Sequence, residues 1–162
     1  HMNQQKFEKL MKYSSNLANL HFRGSDFKNL DISELDLRYA CFTNSKFENV
    51  NFINCDLGAA DFSSCEFFKV TFVSVDLRWS VFESSYLNDF IFERINGLES
   101  NFQNSNFENV NFKNVDIRRC KFNHSKLMNV DFIDSNLAQC VFTDCDNIEV
   151  NYNESNLFNV KN

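Results

Sequence analysis

The sequence predicts an all-β chain wound as a four-sided, quadrilateral β-helix, and three observations predict it. A large apolar side chain recurs every fifth residue from Leu17 to Leu157, at twenty-seven of twenty-nine such positions, with Gly97 and Asn147 as the exceptions. The kind of side chain recurs every twentieth residue. Phe22, Phe42, Phe62, Phe82, Phe102, Phe122 and Phe142 make one set, whereas Leu17, Leu37, Leu57, Leu77, Ile117, Leu137 and Leu157 make an aliphatic one. Finally, the 162 residues include twenty Phe but only three Gly and no Pro. A period of five smears around an α-helix and misses the alternation of a flat strand. It fits a coil that turns every five residues, and four fives in twenty make four sides. The scarcity of Gly and Pro says that the turns repeat one geometry that ordinary residues adopt.

Taken in order, His1 and Met2 read as a tag remnant followed by a native start, so residues 1–14 are assigned to a tag remnant and cap segment. Phe7, Leu10 and Met11 stand at helical spacing and predict a short N-terminal capping helix over 4–12. Such a cap covers the raw strand edge of the first coil. Residues 15–160 form the repeat domain of about seven coils, about 34 Å long at ~4.8 Å per layer. Two positions before the central side chains stand smaller residues that tuck inward: Val50, Val70, Val110, Val130 and Val150 on one side, and Ser25, Ser45, Cys65, Ser85, Ser105, Ser125 and Cys145 on another. At Gly97 a core side chain is missing, and Phe90 and Ile95 are bulky for the small slot; local repacking is expected, with Leu98 turning in. The last coil is more polar, with Asn147 and Tyr152 in place of Phe, and no capping segment follows it.

Segments such as Cys55-Asp56-Leu57, Ala60-Asp61-Phe62, Ser135-Asn136-Leu137 and Ser155-Asn156-Leu157 carry a small residue, Asp or Asn, then Leu or Phe, then two free positions. Over residues 15–160 the chain resembles the pentapeptide-repeat family. That resemblance implies a right-handed helix, a property that spacing alone leaves open. Members of this family dimerise through C-terminal coils, which makes Asn147, Tyr152, Leu157 and Phe158 the candidate dimer end. Some members resemble duplex DNA in size and charge and bind DNA gyrase in its place.

The net charge of −6, from sixteen Lys and Arg against twenty-two Asp and Glu, disfavours direct nucleic-acid binding. No apolar run approaches the ~20 residues that span a bilayer, and no signal-peptide segment opens the chain. A cytoplasmic location is expected. Cys55, Cys65, Cys120, Cys140 and Cys145 occupy small inward slots and read as buried apolar residues, while Cys41 points outward. Cys120 and Cys140 stack one coil apart, near enough for a disulfide. No metal or cofactor motif, nucleophile–base pair or phosphate-cradling Gly loop is present, so no enzyme activity is expected.

Three surfaces are candidates for binding a protein. On the Leu side, Asp36, Arg38 and Tyr39 recur forty residues later as Asp76, Arg78 and Trp79, and nearly again as Asp116 and Arg118. Exposed Trp, Tyr and Arg suit a binding strip; the plainer reading is that each Arg relieves repulsion between stacked carboxylates. A second candidate is an apolar group of Phe68, Tyr86 and Ile91, with Ile53 and Val73 near them. The third is charge. The sides centred on Phe27 and Ile32 together hold thirteen acids and six bases, net −7, against about twenty charges for a DNA duplex of that length. The reading is a non-catalytic scaffold for protein–protein interaction with an unidentified partner. Its alternative is a DNA-mimicking binder of DNA gyrase or topoisomerase that confers quinolone protection, and a structural filler is a third.

Overall fold

What turns the chain is a left-handed residue two places after each central side chain. Twenty-eight non-glycine residues, from Asn19 to Asn159, hold φ between 48° and 63°, and Gly24 holds 65°. Asn or Asp stands at thirteen of the twenty-eight, because a short polar side chain tolerates this region best after glycine. The turns therefore need almost no glycine.

A computed structural model describes residues 3–162; His1 and Met2, on which the expected tag remnant and native start fall, lie outside the described residues. Helix α1 (Gln4–Tyr13) is followed by strands β1 (Asp26–Ser33), β2 (Lys46–Ile53), β3 (Glu66–Asp76), β4 (Tyr86–Asn96), β5 (Asn106–Lys113), β6 (Lys126–Ile133) and β7 (Asp146–Asn151). They stack in sequence order into one parallel sheet. The register steps by twenty throughout: Phe27 lies on Phe47, Phe47 on Phe67, and Phe67 on Leu87. The strands cover two adjacent sides, those centred on Phe27 and on Ile32. The Leu side and the all-Phe side are held by isolated parallel bridges such as Asn16 to Asp36 and His21 to Cys41. The protein is thus a parallel β-solenoid with one short N-terminal helix. Its sheet makes about six turns, slightly fewer than the about seven expected, since residues before Asp26 and after Asn151 contribute bridges and not sheet strands.

Down the axis runs a column of rings. Phe22, Phe42, Phe62, Phe82, Phe102, Phe122 and Phe142 stack with centroids 4.7–5.4 Å apart and planes within 16°. The small slots turn out to carry hydrogen bonds as well as volume. Ser45, Ser85, Ser105 and Ser125 donate their hydroxyls to the carbonyls of Phe22, Phe62, Phe82 and Phe102 at 2.8–3.0 Å. Cys65 and Cys145 do the same to Phe42 and Phe122. Cys120 and Cys140 are free thiols donating to the carbonyls of Gly97 and Ile117. All six cysteines are unpaired.

Both ends depart from the repeat. At the start, Asn3 caps α1 by accepting from the Lys6 amide, and Phe7 is fully buried edge-on against Phe22, with ring centroids 4.8 Å apart. Gln4 pairs with the open edge of β1 as another strand would: its side-chain carbonyl accepts from Lys28 N–H at 2.7 Å and its amide donates to Lys28 O at 2.9 Å. At the far end, among the described residues, Asn147, Ile148 and Phe158 of the last coil are exposed.

The repacking around Gly97 differs from the expectation in one respect. Leu98 stays half-exposed and does not turn in. The gap is filled from inside the column: a Cβ on Gly97 would lie 3.0 Å from Ile117 Cγ2 and 3.5 Å from Ile95 Cγ2. One coil wall away, Phe90 fits the slot that holds Val in its stack neighbours. Leu87 stands in register with Phe67 and Phe107, and the Phe90 ring takes the freed space 5.2 Å from Phe67 and 4.2 Å from Phe92. Restoring the repeat with Gly97→Leu is therefore expected to destabilise the chain by about 1–3 kcal/mol, the cost of overpacking. Urea denaturation checks it, and a variant as stable as the parent would show that the gap is real.

Candidate functional site

On the Leu side the residue before each central side chain is tied to the backbone. Asp36, Asp56, Asp76 and Asp116 accept from the amide two residues on, at 3.0–3.4 Å, and Asn16, Asn136 and Asn156 do likewise at 3.0–3.2 Å. This local turn bond accounts for Asp or Asn at that place in those seven coils. The arginines are an addition to it. Arg38 grips Asp36 with Nε at 2.9 Å and Nη2 at 2.7 Å, Arg78 grips Asp76 at 3.0 and 2.6 Å, and Arg118 grips Asp116 at 2.9 Å through both. The Arg38 guanidinium holds the Asp36 carboxyl below its ordinary value.

Between Arg38-Tyr39 and Arg78-Trp79 the chain places Gly58 and Ala59. The result is a cleft of about 170 Å³ lined by Arg38, Tyr39, Asp56, Gly58, Ala59, Asp76, Arg78 and Trp79. Its walls are exposed rings: Tyr39 is 63% and Trp79 53% exposed. Asp36 flanks the cleft through its grip on Arg38, whereas Asp116 and Arg118 sit two coils further along and do not line it. The floor residues Gly58 and Ala59 escape a reading built on repeated segments, because what matters is that their coil lacks the large side chains of its neighbours. The contrast between Arg38, Gly58 and Arg78 at one register position is the signal that marks them.

The apolar group divides between two sides. Phe68 and Tyr86 line a shallow depression of about 370 Å³ on the Phe27 side, bounded by Lys28, Lys46, Glu48 and Glu66. Tyr86 donates its hydroxyl to Glu108 at 2.8 Å, which raises the phenol above its ordinary value, and Lys69 Nζ lies 5.1 Å from the centre of the Phe68 ring. Ile91 is on the next side, in register with Thr71, half-buried and outside that depression. Charges on the Phe27 side alternate along the stack, with Lys28 to Glu48 at 3.6 Å and Lys46 to Glu66 at 3.7 Å. The acidic excess is thus interleaved with lysine.

At the last coil, Asn147 is exposed, Tyr152 stacks on Phe132 with centroids 5.3 Å apart, and Leu157 and Phe158 are 44% and 64% exposed. Among the described residues, no group of His, Cys, Asp and Glu is placed to hold a metal ion, and no helix is long and apolar enough to cross a membrane.

Comparison with known proteins follows the repeat. Residues 14–49 match a family model described as pentapeptide repeats in eight copies, and residues 45–118 match one described as a pentapeptide repeat region. No curated protein matches the sequence. Among solved structures, one trypsin-treated form of QnrB1, a plasmid-mediated fluoroquinolone resistance protein, is 17% identical with a TM-score of 0.48, covering 91% of this chain and 85% of that one. A second trypsin-treated form of QnrB1 is 14% identical with a TM-score of 0.45, covering 90% and 87%. HetL from the cyanobacterium Nostoc, a pentapeptide-repeat protein involved in the regulation of heterocyst differentiation, is 12% identical with a TM-score of 0.32, covering 99% and 95%.

Proposed function

We propose that this chain, which belongs to the pentapeptide-repeat family, is a non-catalytic scaffold that works by holding a protein partner against its outer faces. The observation that carries the reading is the exposed pair Tyr39 and Trp79 flanking a cleft, on a rod whose interior is filled by stacked phenyl rings. Exposed Trp, Tyr and Arg are the side chains on which protein interfaces concentrate their binding energy. The fold has no need of those rings, since both occupy left-handed turn positions that Asn serves elsewhere in the stack. The free thiols suit a reducing compartment such as the cytoplasm.

Affinity capture with purified chain tests the reading. Changing Arg78 and Trp79 to Ala is expected to lower partner recovery at least about tenfold, the equivalent of ~1.4 kcal/mol, with an unchanged melting temperature. Equal recovery would remove the strip from the interface.

A second reading, a DNA-mimicking binder of DNA gyrase or topoisomerase, draws on the net −7 of the two strand-bearing sides and on the rod shape. A supercoiling assay with and without a quinolone separates the two. Neither inhibition nor protection at tens of micromolar chain eliminates the mimic. For the last described coil, where Leu157 and Phe158 are exposed, we propose contact with a second copy of the chain; a monomer mass in light scattering at micromolar concentration rules it out.

A further inference from the structure

We propose that the cleft between Tyr39 and Trp79 receives one arginine side chain of a protein partner, its guanidinium held between the two rings and paired with Asp56. The proposal rests on the scaffold reading for the identity of the molecule that supplies the arginine.

Shape comes first. Tyr39, Ala59 and Trp79 occupy the same turn position in three successive coils, with φ of 61°, 57° and 61°. Two coils separate the ringed positions, about 9.6 Å. A flat group between two rings needs about 3.5–4.0 Å on each face, or 7–8 Å in all. Gly58 and Ala59 leave that space open, and the cleft of about 170 Å³ has room for a guanidinium and part of its stem.

Charge selects a cation. Three carboxylates, Asp36, Asp56 and Asp76, face two guanidiniums. Arg38 and Arg78 are each committed to their own aspartate by two short bonds of 2.6–3.0 Å. Asp56 has no guanidinium of its own: its Oδ1 accepts the Gly58 amide at 3.0 Å, its Oδ2 lies 3.8 Å from Arg38 Nε, and it shares the more distant attraction of Arg78. One negative charge is thus unmatched on the floor between two aromatic walls. A guanidinium answers both features, because it is flat enough to stack on a ring and presents paired donors to a carboxylate, whereas an ammonium does only the second. Trp79 already shows the affinity on one face, where Arg78 Cζ lies 5.4 Å from the ring centre.

Trp79 is the only tryptophan in the chain, so its fluorescence reports on the cleft directly. The probe is the blocked peptide acetyl-Gly-Arg-Gly-amide, titrated beside its citrulline and lysine counterparts. A saturable change in emission is expected for the arginine peptide, with half-saturation at about 10 mM, the range for two exposed ring faces and one exposed carboxylate acting together. Citrulline keeps the shape but not the charge and is expected to bind at least about tenfold more weakly; lysine is expected to lie between the two. Asp56→Asn is expected to weaken the arginine peptide at least about fivefold, and Gly58→Leu to abolish binding. Gly58→Leu has a precedent in the fold, because Leu98 holds the equivalent place two coils on. No saturation, equal binding of citrulline or lysine, or undiminished binding to Gly58→Leu overturns the proposal. The titration uses no partner, so a failed peptide removes the arginine receptor and leaves the scaffold reading to its own capture experiment.

Discussion

Replacing Phe62 by alanine is expected to cost about 3–5 kcal/mol of folding stability. The ring is fully buried, stacked 5.0 Å from Phe42 and 4.9 Å from Phe82 with planes within 16°. It also meets Phe52, Phe67 and Phe72 at 5.8–6.3 Å. Its removal leaves a gap that the backbone cannot close, because each neighbouring coil is fixed by parallel bridges above and below. For a chain of this size that is a fall of about 6–20 °C in Tm. The damage is concentrated at the two coil interfaces that Phe62 spans, since in a solenoid each coil contacts only its neighbours. Glu83→Ala, on the outer surface of the same side, is expected to change stability by no more than about 0.5 kcal/mol. Urea denaturation of the two variants checks the pair, and a loss below about 1 kcal/mol for Phe62→Ala would mean that the column does not carry the fold.

Alkaline destabilisation is the second large effect. Burial pushes the Cys65 thiol up from 9.0 to about 12, and burial also raises Cys55 and Cys120. In the unfolded chain the Cys65 thiol loses its proton near its ordinary value, whereas the folded chain holds it protonated until about 12. Its contribution to stability is therefore whole below about pH 9 and is lost as pH rises from there through about 12. Three pH units at ~1.4 kcal/mol each give about 4 kcal/mol for this thiol alone. Cys65→Ser should fold, because Ser45 and Ser85 make the same bond to a phenylalanine carbonyl. Its urea midpoints measured from pH 8 to 11 are expected to fall less steeply than the parent's. Parallel curves would show that the buried thiol does not set the alkaline limit.

Most of the architecture was legible because one constraint is repeated. Every side chain from Leu17 to Phe142 assigned to the axis by spacing is buried, since five residues per side leaves only one register in which the rings meet. The capping helix was legible for the same reason, Phe7, Leu10 and Met11 being an apolar stripe with nowhere else to go. Legibility ended where a residue acts through its neighbours. Spacing offers Leu98 as a filler for the gap at Gly97 because it shows one coil at a time, while the space is taken by Ile117 from the next coil and Ile95 from the wall. Nor does a list of small residues reveal that Ser85 and Cys65 bond to carbonyls twenty-three positions back. The Asp-Arg-aromatic strip was visible as repeated letters, but the cleft was not: its floor is defined by what Gly58 lacks. Phe68 and Ile91, grouped by type, lie on different sides because a left-handed turn separates them.

The twenty-residue register has an editing rule hidden in it. Adding or deleting five residues would preserve an inward side chain at every step and still rotate everything downstream by a quarter-turn, setting a ring over an aliphatic column and moving Trp79 to a different wall from Tyr39. Only whole laps leave the outer walls aligned. A lineage of such chains can therefore change length freely by laps, and can repaint its exterior by point substitution, but cannot slip by a fraction of a lap without dismantling any site that spans two coils.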